Sequence, residues 1–211
     1  MKNIIFCSIS LVFALGCRKS NNNNNQNASD IFPNKVGDRW IYLVNDTLVN
    51  RSNPDSPAVQ YNLTVSVVNS IQLPGGIRAN VWVYSFPGGT DTNYVFQRND
   101  TVYFIDINQI VYSIQSRRYI IPLSLHNSWQ YSMPSFHDIT VDSQSDIVVG
   151  QNHFGNVFHI YGNAGMPDAG YVINEWIEDY VGIVKRHFNP SGMMIDPRHV
   201  TGWSLISYHL E

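Results

Sequence analysis

The side chains of this sequence that could do chemistry are its histidines, one acidic cluster and its tryptophans. The seven histidines are His126, His137, His153, His159, His187, His199 and His209. No H-E-x-x-H occurs, and no pair of histidines has a spacing that one helix turn would gather onto a metal. His153 and His159 are six apart, so on a continuous strand they share a face about 20 Å from each other, too far to chelate one ion. His137 and Asp138 are neighbours, and neighbours on a strand point to opposite faces. No metal site is expected. Paired carboxylates could serve a glycosidase or hold Ca²⁺, and Glu175, Glu178 and Asp179 are the best place for them. On an extended strand, however, Glu175 and Glu178 face opposite ways, and Glu178-Asp179 fits the turn before Val181-Gly182. There is no G-x-S-x-G elbow, phosphate loop or dinucleotide fingerprint. The sequence thus predicts no catalytic residue and no cofactor.

The aromatics are the remaining resource. Trp40, Trp82, Trp129, Trp176 and Trp203, with twelve Tyr, exceed what turns require. They suit either a cleft for an acyl chain or a sugar or a core built of residues that favour sheets. Trp40, Trp129 and Trp176 carry the ligand-binding expectation.

The two cysteines exclude more than they offer. Lys2, the apolar run Ile4 to Leu15 and small Gly16 have the layout of a secretory signal. The apolar run is shorter than the roughly 20 residues that a spanning helix needs. Ala14-Leu15-Gly16-Cys17 resembles the lipobox of bacterial lipoproteins. That resemblance implies a diacylglyceryl thioether on the Cys17 sulfur and an acyl chain on the new amino group. Two or more chains hold a protein stably at a bilayer, at about 0.8 kcal/mol per buried methylene. With Cys7 in the signal and Cys17 in the anchor, the folded domain has no thiol. Disulfides, a thiolate nucleophile and Cys-ligated zinc are excluded together.

Residues 18–30 follow as an asparagine-rich spacer with nothing large enough to pack. As a flexible coil it spans about 20 Å. The acidic residues that follow the Cys in surface-exported lipoproteins of some Gram-negative bacteria are missing, which favours the periplasmic side. The expected organisation is therefore signal peptide 1–16, lipidated Cys17 and linker 17–30, and one domain over 31–211. Only 14% of the chain is charged and the net charge is −3, so nucleic acid is not an expected partner.

From Ile31 onward the pattern that positions these side chains has period two, bounded by turn residues. Tyr61, Leu63, Val65 and Val67 alternate with mostly polar neighbours. Pro74-Gly75-Gly76 turns the chain into a strand over Ile77 to Phe86, and Pro87-Gly88-Gly89 breaks it again. Asn99-Asp100 joins a hairpin of Tyr94 to Arg98 with Thr101 to Ile107. Further strands are predicted at Ile139 to Val149, Asn156 to Tyr161, Tyr171 to Glu178, Gly182 to Phe188 and Gly202 to Leu210, with a turn at Asn189-Pro190-Ser191-Gly192. The expectation is an all-β antiparallel meander forming a sandwich or an open barrel.

PNKVGDRWIY from Pro33 and PLSLHNSWQY from Pro122 align without gaps at an offset of 89 residues. Trp40 matches Trp129 and Tyr42 matches Tyr131. In each copy a turn enters a strand, and Trp and Tyr, two apart, share one face. Two sequence-related β halves are the reading. The pattern P-x3-G-x2-W-x-Y, its second copy, and Trp176 followed by Val181-Gly182-Ile183-Val184-Lys185 resemble a broad set of bacterial envelope lipoproteins. That set is loosely similar to lipoprotein carriers, whose open β-barrels cup acyl chains. The resemblance implies a compartment and a fold, not a reaction.

The expected role is therefore a non-enzymatic, lipid-anchored β domain at the outer membrane of a Gram-negative bacterium, binding an apolar or glycan ligand or an envelope protein. The alternative is a periplasmic hydrolase of cell-wall or exported glycan. It requires Glu175, Glu178 and histidines to converge in one cleft.

Overall fold

A computed structural model describes residues 31–49, 57–106, 116–130, 137–166, 169–191 and 198–211. The stretches read as signal and spacer, together with Cys17 and Tyr131, lie outside the described residues. Twelve strands follow one another: β1 (Arg39–Val49), β2 (Val59–Gln72), β3 (Arg78–Phe86), β4 (Gly89–Arg98), β5 (Thr101–Ile105), β6 (Ser116–Ile120), β7 (Ser128–Gln130), β8 (His137–Val149), β9 (Asn152–Met166), β10 (Ala169–Glu178), β11 (Gly182–Ser191) and β12 (Arg198–His209). They form a single antiparallel sheet in the order β6-β5-β4-β3-β2-β1-β12-β11-β10-β9-β8-β7. The first and last strands pair along their whole length. The result is a nearly closed barrel whose one seam falls mid-chain, between β6 and β7. The sandwich option is set aside, because all the described strands join one sheet.

Alternation decides which way each strand faces. On β2, Leu63, Val65 and Val67 are buried, while Asn62 is exposed and Thr64 and Ser66 are partly so. The apolar face thus fills the lumen and the polar face meets solvent, the reverse of a lipid-facing outer-membrane barrel. Asn99 takes a positive φ of 55° in the tight β4–β5 turn, a conformation Asn adopts more readily than most residues.

One predicted turn is a strand. β11 continues through Asn189, Pro190 and Ser191, with Pro190 opposite Tyr171 of β10. Pairing of β11 with β12 ends at Phe188. Beyond that point β11 is paired on one side only, where a residue without an N–H costs the sheet least. β4 also begins earlier than its apolar pattern suggests, because its polar first half, from Gly89, pairs with β3.

The segments leading into β1 and β7 seal one end of the barrel. The Asp38 N–H donates to the Lys35 carbonyl (3.1 Å) and the Asn127 N–H to the Ser124 carbonyl (3.2 Å), forming the same turn twice. The entry segments also cross over. Tyr180 N–H, at the β10–β11 turn, donates to Ile31 (2.8 Å), and Ile121 N–H donates to Asp100 at the β4–β5 turn (2.6 Å). Phe32 and Ile121, each just before one of these turns, are both buried. Under this cap Trp40 stacks on Trp82 at 4.8 Å, and Phe32 and Phe104 pack around Trp82. Such aromatic pairs add about 0.5–1.5 kcal/mol each beyond their buried area.

Candidate functional site

The polar centre of the lumen is built by strand register. Glu175 of β10 lies opposite Arg186 of β11, and Arg186 lies opposite Trp203 of β12. The row continues through Val44 of β1 to Tyr61 of β2. Glu175 is 2% exposed, because Glu175 and Ile177 share the inward face of β10.

Arg118 and Tyr119 reach the same carboxylate from β6. Consecutive strand residues normally face opposite ways. Here the β5–β6 register slips, with Val102 opposite Tyr119 and Tyr103 opposite Arg117, so that Arg118 is the extra residue of a bulge. A bulge re-aims a side chain, and both Arg118 and Tyr119 end up buried. Arg118 Nη2 donates to Glu175 Oε1. The Tyr119 hydroxyl donates to Glu175 Oε2 (2.9 Å), and Arg118 Nε donates to the Tyr119 oxygen (3.3 Å). These contacts span the lumen between strands on opposite sides of the seam.

Arg186 is held differently. Its Nε lies 3.2 Å from Glu175 Oε1, yet the N–H is not aligned on that oxygen and makes no hydrogen bond. The attraction is Coulombic. Its guanidinium carbon sits 4.7 Å over the Trp203 ring, within cation–π range.

A cleft of about 320 Å³ opens beside these groups, lined by Tyr61, Leu63, Tyr84, Phe86, Asp91, Asn93, Phe104, Arg118, Ile183, Arg186 and Trp203. Its mouth lies at the β3–β4 end of the barrel, opposite the end capped by Phe32 and Ile121. Burial pushes the phenols of Tyr42, Tyr84 and Tyr119 well above their ordinary range, so all three stay neutral. The Tyr42 hydroxyl donates to the Ile183 carbonyl (2.9 Å).

The three tryptophans predicted to bind ligand lie elsewhere. Trp40 is buried under the cap and donates from Nε1 to the Val181 carbonyl (2.7 Å). Trp129 is buried on β7. Trp176 faces outward between His159, stacked at 4.7 Å, and Lys185 Nζ, 4.6 Å from the ring centroid. None of the three lines the cleft; Trp203 does. Arg118 and Arg186 were not singled out in the sequence. The available signal was a cation on the alternating face, since Arg186 continues the inward phase of Val184.

Glu175 does not meet Glu178, and no histidine lines the cleft. Glu175 is in the lumen, whereas Glu178 Oε1 accepts the Gly155 N–H (3.3 Å). Burial raises the Glu178 and Asp179 carboxyls above their ordinary range. His159 meets Asp142 and Asn174, His199 meets Asp46, and His209 meets Glu211. Among the described residues, no group of three or more His, Cys, Asp or Glu could hold a metal ion.

No protein-family model matches the chain, and no curated protein matches it. Two solved structures are similar to it. One is a candidate exported protein with a YmcC-like fold from Bacteroides fragilis NCTC 9343, at 10% identity and a TM-score of 0.47, covering 85% of this chain and 98% of its own. The other is a candidate lipoprotein from Parabacteroides distasonis ATCC 8503, at 14% identity and a TM-score of 0.43, covering 84% of this chain and 97% of its own.

Proposed function

We propose that this chain is a lipid-anchored binding protein of the bacterial envelope, held by Cys17 at the periplasmic face of the outer membrane, and that it binds a small ligand without transforming it. The observation that carries the binding reading is the lumenal cleft, whose aromatic walls meet a cation stacked on Trp203. Its size falls within the range of small-molecule sites, and polar groups converge there beside aromatic and aliphatic side chains. The anchor reading rests on the sequence around Cys17. The described residues begin at Ile31, on the capped end, and the cleft mouth lies at the opposite end.

A hydrolase has no support in this arrangement. Glu175 is engaged by two arginines and a tyrosine, Glu178 lies on the other face of β10, and the histidines are scattered.

Two measurements test the proposal. Cys17→Ser should move the protein from the membrane fraction to the soluble fraction; persistence at the membrane removes the anchor. Native mass spectrometry of the protein purified from its own envelope should show a bound small molecule that Trp203→Ala loses. A ligand retained in full by that variant places binding elsewhere.

A further inference from the structure

The geometry points to an organic anion as the ligand class, with a carboxylate or phosphate group paired to Arg186 and an apolar body lying against Tyr61, Tyr84 and Trp203. This inference rests on the binding reading above and narrows it.

Charge balance is the first argument. One carboxylate, Glu175, faces two guanidinium groups. Arg118 takes its Oε1 in an aligned bond, and Tyr119 takes its Oε2. Arg186 is left with a near but misaligned contact. The other acid on the cleft wall, Asp91, is exposed at the mouth, where its Oδ1 accepts the Thr92 N–H (2.7 Å). The inner cleft therefore carries one positive charge more than its carboxylate neutralises. A cation removed from water is stabilised by an anion with good hydrogen-bond geometry, and the planar guanidinium fork suits a carboxylate or phosphate.

Orientation is the second argument. The cation–π contact with Trp203 fixes the guanidinium on the cleft wall; Nε is buried toward Glu175, so a planar acceptor in the cleft meets the terminal N–H groups. Tyr84, a neutral phenol on the adjoining wall, adds a hydroxyl donor. The walls supply the third argument. Leu63, Tyr61, Tyr84, Phe86 and Trp203 give aromatic and aliphatic surface that a bare inorganic anion would not use. A ligand with both an anionic head and an apolar body satisfies both parts of the site.

The test is calorimetric titration of the full lipidated chain in zwitterionic nanodiscs. The probes are 2-naphthoate, 2-naphthamide, octanoate, octanamide and inorganic phosphate. The naphthyl and octyl pairs distinguish a flat body from a chain, and within each pair only the charge changes. At least one acid should bind about tenfold or more tightly than its own amide, as expected for a charge-assisted contact of about 1.4 kcal/mol. Arg186→Gln should abolish that preference. Lys185→Gln, which removes the same charge from the outer face, should keep it. Arg186→Lys, which retains the charge but not the fork, should keep part of it, and this variant decides the matter if Arg186→Gln does not fold. Amides binding as tightly as acids would overturn the anion inference and leave the binding cleft standing. Phosphate binding as tightly as the organic acids would overturn the amphiphilic part. No probe binding at millimolar concentration would remove the inference and the cleft reading together.

Discussion

Gly37 and His126, 89 residues apart, do the same work in the two halves of the barrel. Both have positive φ, 108° and 67°. Gly37 N–H donates to Val67 on β2 (2.9 Å), and His126 N–H donates to Val141 on β8 (2.9 Å). The following residues, Asp38 and Asn127, accept from the same two valines at 2.9 and 2.8 Å. The first turn uses the residue that adopts positive φ freely, and the second uses one that does so at a cost.

That difference gives a paired prediction. His126→Gly should raise stability by about 0.5–1 kcal/mol, because it relieves a left-handed side chain at some expense in unfolded-state entropy. Gly37→Ala should lower it by about 1–2 kcal/mol, since the new Cβ meets both the strained φ and the Glu211 side chain. Urea denaturation of the two variants measures both effects. A loss of stability in His126→Gly contradicts the shared-turn account.

Glu175→Ala should destabilise the barrel by about 3–5 kcal/mol, because it leaves Arg118 and Arg186 facing each other in the lumen without a carboxylate. Arg118→Met, Glu175→Leu and Arg186→Met together should recover much of that loss, since an apolar replacement of the whole buried charged group is often neutral or better. The measurement is again the denaturation midpoint. A single variant as stable as wild type would show that the cluster contributes little to the barrel.

The buried phenols predict an alkaline limit. Tyr42, Tyr84 and Tyr119 are raised by burial first, with the lumenal arginines opposing the shift and Glu175 adding to it. Below pH 10 the folded and unfolded chains hold the same phenolic protons, and these groups do not alter stability. Above it the unfolded chain loses protons that the folded chain keeps, so stability falls as pH rises. Each such phenol contributes about 1.4 kcal/mol per pH unit. Absorbance at 295 nm should show the exposed tyrosines titrating first and a later cooperative step coincident with loss of the β-sheet signal. Smooth titration of every tyrosine without unfolding would mean that these phenols reach water.

Asp179 predicts a slope at the acid end. Burial raises its carboxyl, so the folded chain binds a proton at a pH where the unfolded chain does not. Stability should therefore fall as pH rises from the ordinary carboxylate range through the raised value. Glu178 adds in the same direction, with the Gly155 N–H opposing it. Asp179→Asn should flatten this limb in a series of thermal melts between pH 3 and pH 7. An unchanged slope would assign it to other groups.

Much of the sheet was legible because alternation is local. Leu63, Val65 and Val67 announce an inward face without reference to any other strand, and Asn99-Asp100 announces a turn by its own backbone preference. The turns that lead into Trp40 and Trp129 were legible for the same reason, since each carries its turn and its strand start in one short stretch. Pro190 misled the reading, because a proline signals a break unless its strand is paired on one side only, and pairing is not written in the local sequence.

The sequence by itself determined an all-β chain with a thiol-free domain, its main turns, and two similar entry segments, all properties of neighbouring residues. The tertiary structure alone decided that β1 closes on β12 and that the seam falls between β6 and β7. It also decided that Glu175, Arg186 and Trp203 lie side by side while a bulge at Arg118 turns a second arginine onto the same carboxylate. The physical reason is register: hydrogen bonding between strands sets residues from distant parts of the chain side by side, and a one-residue slip changes which face a side chain takes without leaving a mark in the composition.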